Sequence, residues 1–234
     1  MMKNLRKYIR MVLLEAMQAN IDNFGLYKSE QGNSMHFVLY DAVSFVQTMK
    51  KEKKMIIDKS MILGNITVRK HEGWGPCHDA WEITSVAAVK GFGPTMYDIA
   101  MNHVPSKTLM PDRSSVSSSA KSVWKYYKNN RSDIQALPFD TSKRSALDLV
   151  DDTKTDSKED DCFSTHFGPS ADFLNHAYRS GGGGVSSASA IMNHKKLVDA
   201  LNSHKDGLGQ QFEEKIASGG AEYFSSQHMF SLAR

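Results

Sequence analysis

The sequence has few of the features that mark the simplest classes of protein. It contains two cysteines, Cys77 and Cys162, among 234 residues, which excludes a disulfide-stapled scaffold and favours a reducing compartment. No apolar run reaches the roughly 18 to 20 residues that a membrane span needs. With 40% hydrophobic and 24% charged residues, the composition is that of a globular protein with one domain and attachments, or with two small domains.

Net charge is also small. The 29 basic and 26 acidic residues leave a formal charge of +3, which is too little to predict nucleic-acid binding. A basic run at 50–59 and an acidic run at 148–161 are interpreted as solvated loops, with docking surfaces for oppositely charged partners as the alternative. The apolar run at 11–14 is shorter than the roughly 7 to 15 residues of a secretory signal, so we expect a cytoplasmic protein.

Hydrophobic periodicity predicts alternating helices and strands, and we find no internal repeat. Helices are predicted at 4–19, 41–50 (with Asp41 as its cap), 96–103, 115–128 (capped by serines at 114–119) and 187–201. Strands are predicted at 35–40, 61–70, 80–89, 108–110 and 134–139, and the polar segment 20–33 is predicted to be a loop. The strand at 80–89 is apolar and β-branched enough to be buried on both faces.

The strand–turn–helix at 80–103 carries the chemical information. Its glycine turn, Lys90-Gly91-Phe92-Gly93-Pro94-Thr95, leads directly into a helix. Backbone N–H groups at such a turn, together with the helix dipole, form a cradle for an anion such as pyrophosphate. A tight turn without a ligand is the alternative. The segment lacks the third glycine of the dinucleotide-binding fingerprint and the Gly-Lys-Ser/Thr of a P-loop.

This segment resembles the pyrophosphate loop of the Gcn5-related N-acetyltransferase superfamily, Arg/Gln-x-x-Gly-x-Gly/Ala after a central strand. Lys90 stands for Arg and Thr95 for the last small residue. The following short strand and helix also fit over about residues 60–140, with Ser117 at the Asn position, Ala120 at the Ala and Trp124 at the usual Tyr. The resemblance implies acetyl-CoA as cofactor, bound by a set of residues on this strand, turn and helix: Ala88, Lys90, Gly91, Phe92, Gly93, Thr95, Ser117 and Trp124.

A narrower resemblance is to acetyltransferase-like proteins of tailed bacteriophages. It rests on Leu109-Met110-Pro111-Asp112-Arg113, on Trp124 and Tyr127 in the helix, on Leu137-Pro138, and on Asp160-Asp161-Cys162. This resemblance implies an origin, and with it the host cytoplasm or the virion as the location. Other virion proteins, or a protein or small amine acceptor, are the implied partners. An oligomer or a subunit of an assembly is the implied state of the chain.

Direct acyl transfer needs a base to take the proton of the attacking amine. Glu82 on the central strand is the first candidate, and His78 just before it is the second. The hydroxyl of Tyr127 is a candidate acid, because an indole at Trp124 cannot donate a proton as a Tyr hydroxyl does. Pro94 removes one donor from the cradle, and Lys90 offers a point charge instead of the fork of Arg.

Other site chemistries have weaker support in the sequence. Cys77, His78, Cys162 and His166 match no closed tetrahedral zinc signature, so no metal site is predicted. A Cys–His nucleophile has no support from position. Tyr126 and Tyr127 beside three lysines are interpreted as an amphipathic helix face rather than a nucleic-acid surface.

The sequence therefore predicts an α/β fold with a mixed central sheet flanked by helices, similar to the acyl-CoA N-acyltransferases. We expect an N-terminal helix and loop at 1–34 and an acetyltransferase-like core at 35–140. An acidic linker, glycine-rich loop and helical extension are expected at 141–234. Two functions remain open: an acetyl-CoA-dependent N-acetyltransferase, or an inactive member of that fold that serves as a structural or ejected virion component.

Overall fold

A computed structural model describes residues 23–52, 55–71, 75–140, 157–162, 169–182, 186–204 and 208–231 of the chain. The predicted helix at 4–19 lies outside these ranges, as does most of the predicted acidic linker.

The described residues form a seven-stranded mixed sheet. Its strands are β1 (Phe24–Gln31), β2 (Ser34–Asp41), β3 (Ile62–Lys70), β4 (Trp81–Ala88), β5 (Thr108–Met110), β6 (Ile134–Pro138) and β7 (His176–Ser180). They are ordered β1-β2-β3-β4-β5-β7-β6. β4 runs parallel to β5, and β7 runs antiparallel to both β5 and β6. The predicted α/β class with a mixed sheet is confirmed.

Within the described ranges, five α-helices accompany the sheet: α1 (Ala42–Glu52), α2 (Gly93–His103), α3 (Ser118–Asn130), α4 (Ala188–His204) and α5 (Leu208–Ser231). Two of them begin at the caps that the sequence predicts. The Asp41 carboxylate accepts from the Ser44 amide at 2.9 Å before α1, and the Ser117 hydroxyl accepts from the Ala120 amide at 3.3 Å at the start of α3. Both bonds satisfy amides that a helix leaves without partners in its first turn.

Two strands differ from the sequence-based prediction. The segment 20–33, predicted to be a loop, contains β1. Its apolar signal is weak because only Gly25 and Leu26 are buried, and Gly25 is packed so closely on Tyr40 that a Cβ would lie 2.0 Å from the ring. β7 was not predicted at all. It lies in the expected extension but is inserted between β5 and β6, so the sheet draws residues from outside 35–140.

Contacts divide the chain into two compact units. In the first, which takes its described residues from 23–28, 38–65 and 186–227, the Phe212 ring lies 4.7 Å from that of Phe45 and 5.9 Å from that of Tyr40. The second takes its described residues from 29–37, 66–182 and 228–231. In the second unit, Trp124 stacks on Tyr178 at 4.9 Å and meets Tyr97 edge-on at 5.0 Å, geometries that aromatic pairs prefer.

Candidate functional site

The second unit has an opening where β4 and β5 separate. The two parallel strands are paired at Trp81–Leu109 and at Glu82–Met110. β5 ends at Met110, whereas β4 continues to Ala88. Residues 83–88 therefore extend beyond the end of β5. In open α/β sheets, ligands bind at the carboxyl ends of parallel strands, where the strands diverge.

A cavity of about 220 Å³ occupies this opening. Its lining comes from β4 (Ile83, Thr84, Ser85, Val86), from α2 (Tyr97), from the segment after β5 (Asp112, Ser115, Val116, Ser117) and from α3 (Ala120, Trp124). Thr84 and Ser85 are exposed. The prediction that this strand is buried on both faces is therefore wrong at these two residues. The strand instead presents hydroxyl groups and its own backbone to the cavity.

The glycine turn follows β4 directly. Phe92 caps α2 without a side-chain hydrogen bond, and its amide donates to the Val89 carbonyl at 3.0 Å. Gly91 adopts a φ of +99°, and a Cβ added at Gly91 or Gly93 would meet no atom within 4 Å. Because an α-helix leaves the amides of its first turn without helical partners, Gly93 and Thr95 present theirs at an open helix start. Pro94, between them, has no amide proton.

The structure brings two of the predicted cofactor residues, Ser117 and Trp124, to the cavity lining. Ala88 and the turn 90–95 are not among the lining residues and lie at and beyond the end of β4, the strand that forms one wall. Lys90 is exposed, and Thr95 is buried with its hydroxyl oxygen unpartnered. Trp124 is only 1% exposed, so its ring belongs to the core as well as to the lining.

Glu82 lies beside the opening but is held by its neighbours. Its Oε1 accepts from the Arg113 amide at 2.8 Å, and its Oε2 accepts from Arg69 at 3.0 Å with a ring nitrogen of His71 at 3.7 Å. Burial favours a raised pKa, but His71, the Arg113 amide and Arg69 outweigh it and lower the pKa of Glu82 to about 2. A carboxylate so stabilised is a weak base, so its clearest role is to anchor these segments.

The other two residues with predicted proton-transfer roles lie away from the cavity lining. The His78 ring stacks on Phe139, and its Nε2 lies 2.9 Å from the Pro138 carbonyl oxygen. Tyr127 is fully buried, and its hydroxyl lies 2.6 Å from Asp98 Oδ1. Burial, together with the charge of Asp98, raises the pKa of Tyr127 well above its ordinary value.

Two lining residues were missed as site residues by the sequence analysis. Tyr97 lies one helical turn beyond Gly93, and its buried hydroxyl has no hydrogen-bond partner. Burial raises its pKa, so the hydroxyl stays protonated. Asp112 follows β5 directly, and its Oδ1 accepts from the Ser114 and Ser115 amides at 2.7 and 2.8 Å. The position of a Tyr one turn into the helix was the available signal for Tyr97.

The cysteines also differ from expectation. Cys77 and Cys162 form a disulfide across 85 residues of sequence, whereas the sequence analysis treats them as thiols of a reducing compartment. The two cysteines are distant in the chain, and only the fold brings them together. Cys77 is completely buried. The histidine beside them is His71. His78 is not in this group, and His166 lies outside the described residues.

Comparison of the chain with protein-family models, with curated proteins and with solved structures finds no match. In the part of the chain that the structure describes, no helix is both long enough and apolar enough to cross a membrane.

Proposed function

We propose that this chain is an acyl-CoA N-acyltransferase-like protein that binds acetyl-CoA in the opening between β4 and β5. The observation that carries the proposal is the separation of these two parallel strands next to a glycine turn that opens α2. The resemblance in the residues 90–95 supports the same ligand. A phage origin remains part of the proposal through the narrower resemblance.

Each part of the opening suits one part of the ligand. The amides of Gly93 and Thr95, with the helix dipole behind them, suit a pyrophosphate. The backbone of residues 83–86 offers strand-like hydrogen bonds to an extended, amide-containing arm, as an exposed strand does to a peptide. The cavity of about 220 Å³ suits a small acyl group and the sulfur that carries it.

The proposed reaction is direct transfer. The nitrogen lone pair of an amine attacks the thioester carbonyl carbon, the C–S bond breaks, and the coenzyme A thiolate leaves and takes up a proton. Asp112 is the carboxylate on the cavity lining and is our candidate for the base. The Tyr97 hydroxyl, which has no partner in the structure, is our candidate proton donor to the departing sulfur. It would replace the Tyr hydroxyl that the resemblance expects at the position of Trp124.

One group of observations favours the alternative function. Glu82 pairs with Arg69, the Tyr127 hydroxyl donates to Asp98, and His78 contacts the Pro138 carbonyl oxygen. All three predicted catalytic residues therefore have structural partners. A chain that retains the fold without catalysis, as a structural or ejected component of a phage particle, would bind coenzyme A weakly or without turnover.

Calorimetric titration with acetyl-CoA tests the proposal. We expect a dissociation constant in the micromolar range, about −8 kcal/mol, and loss of binding in Gly93→Asp, because the new carboxylate would lie where the pyrophosphate binds. An added Cβ at Gly93 meets no atom within 4 Å, so this variant should fold.

Gly32→Asp is the matched control, since Gly32 also has open space around it and lies in the turn between β1 and β2. Its φ is +56°, a conformation that Asp tolerates better than most residues. Gly32→Asp should bind as the parent chain does. Absence of binding at millimolar acetyl-CoA, or equal binding by Gly93→Asp, would contradict the proposal. Binding without release of coenzyme A in the presence of a panel of amines would favour the inactive alternative.

A further inference from the structure

A second cluster of chemically reactive side chains is formed by residues that are not part of the cavity lining. Among the described residues, Cys77, Cys162 and His71 each offer a ligand atom, and these atoms lie within 4.8 Å of one another. Both cysteines are buried, at 0% and 1% exposure, and the His71 side chain is 7% exposed. The disulfide in this structure is one of two states that such a cluster can adopt.

His71 provides the observation that points to a ligand. Its Nδ1 lies 3.7 Å from Glu82 Oε2, whereas its Nε2 is buried and has no hydrogen-bond partner. A buried polar atom without a partner is destabilising, and native proteins rarely leave one. In metal sites, a ligating histidine typically directs its other ring nitrogen to a carboxylate, which fixes its tautomer and orientation. Glu82 is positioned to play that part.

We infer that reduction of the disulfide creates a zinc site formed by Cys77 Sγ, Cys162 Sγ and His71 Nε2. Thiolate and imidazole are the ligands that Zn²⁺ prefers, at about 2.3 Å and about 2.0 Å. Tetrahedral geometry at those lengths places the ligand atoms about 3.5 to 4 Å apart. A ring nitrogen of His71 already lies within 4.8 Å of both sulfurs, and the two sulfurs must move apart to that distance once their bond is broken. Two cysteines and one histidine leave a fourth position for water.

Reduction and zinc binding convert the disulfide form into the zinc-bound form in two steps. A dithiol reductant supplies two electrons and two protons, so the S–S bond breaks, two thiols form, and the reductant becomes a disulfide itself. Zinc binding then releases the two thiol protons, because the thiolate is the ligand.

The local backbone is consistent with a site that constrains its residues. Cys77, His78 and Asp79 all have positive φ, at 44°, 55° and 55°. Non-glycine residues adopt this conformation at an energetic cost, and such residues concentrate at functional sites. The Cys77 and His78 amides donate to the carbonyls of Asp161 and Glu159 at 3.2 and 2.6 Å, which ties the two cysteine-bearing segments together in addition to the sulfur bridge.

The test uses the full chain in both redox states. The chain is reduced with dithiothreitol, freed from the reductant under nitrogen, and titrated with Zn²⁺ against a chromophoric chelator. Co²⁺ is then used as a spectroscopic probe of thiolate ligation. We expect one Zn²⁺ per reduced chain and none per oxidised chain. His71→Ala should weaken binding at least about 100-fold, and Glu82→Gln about 10-fold to 100-fold.

His36→Ala is the matched control, because His36 is also a partly buried histidine of the same unit but bonds to Thr67. It should bind Zn²⁺ as the parent does, and the double variant Cys77→Ser, Cys162→Ser should bind none. If reduction alone unfolds the chain, added Zn²⁺ should restore its circular dichroism. No binding by the reduced chain, failure of that restoration, or equal affinity in His71→Ala would each overturn the inference.

Discussion

Replacing Glu82 by Gln should destabilise the protein in a way that depends on pH. Glutamine keeps the shape of the side chain and can still accept from the Arg113 amide, but it removes the negative charge. The pKa of Glu82 falls from an ordinary value of 4.5 to about 2. At about 1.4 kcal/mol for each factor of ten in acidity, that difference corresponds to about 3 kcal/mol of stability. Because the Arg69 side chain is 55% exposed and solvent screens its charge, we expect a loss of about 2 to 3 kcal/mol at pH 7.

The sign of the pH dependence follows from the direction of the pKa shift. A carboxyl group whose pKa is lowered by folding stabilises the native state above its unfolded pKa, and that contribution disappears as the pH falls through the folded pKa. Urea unfolding of the parent and of Glu82→Gln should therefore differ by a constant amount from about pH 7 to about pH 5. The difference should shrink between about pH 4.5 and pH 2. A difference that is absent at pH 7, or that is as large at pH 3 as at pH 7, would refute the assignment of the stability to the Glu82 charge.

Substitutions at three further positions test other contacts of the fold. Gly25→Ala should cost about 1 to 3 kcal/mol in urea unfolding, because the new methyl group would lie 2.0 Å from the Tyr40 ring; an unchanged midpoint would contradict the close approach. Trp124→Ala should cost about 3 to 5 kcal/mol, since the indole is buried between Tyr97 and Tyr178, and a loss below 1 kcal/mol would show that the ring is not part of the core. Asp98→Ala should cost about 1 to 3 kcal/mol, because the Arg131 guanidinium, now 3.1 Å from Asp98 Oδ2, and the buried Tyr127 hydroxyl each lose a partner, although Arg131 keeps Asp133. Asp98→Asn, which can still accept a hydrogen bond, should cost less, and the reverse order would contradict the ion-pair argument.

The strongest sequence signals were those that combine a local pattern with a cap. The helix after Asp41 and the helix after Ser117 begin where those side chains can accept an amide hydrogen bond. The strand–turn–helix at 80–103 is predicted from an apolar, β-branched run followed by glycine and proline, and it is confirmed as β4 and α2. Local chemistry determines these features, so one sequence is enough to find them.

The features that sequence reasoning missed depend on distant contacts. β1 is polar in its second half, at 28–31, and is recognisable only once Tyr40 packs on Gly25. β7 has five residues, and its place between β5 and β6 cannot be read from its own composition. The same holds for the site. Glu82 was predicted as a base from its strand, but Arg69, His71 and the Arg113 amide, which determine its pKa, come from other segments of the chain.

Hydrogen exchange, followed by mass spectrometry with and without acetyl-CoA, tests the proposed site most directly because it reports where the ligand binds. With acetyl-CoA bound, we predict slower amide exchange in peptides that contain residues 83–86 and 91–95, and unchanged exchange in β1 and β2. Gly93→Asp should remove this protection, and Gly32→Asp should retain it. Protection confined to other segments, or no protection at acetyl-CoA concentrations far above micromolar, would contradict the claim that the opening between β4 and β5 is a coenzyme A site.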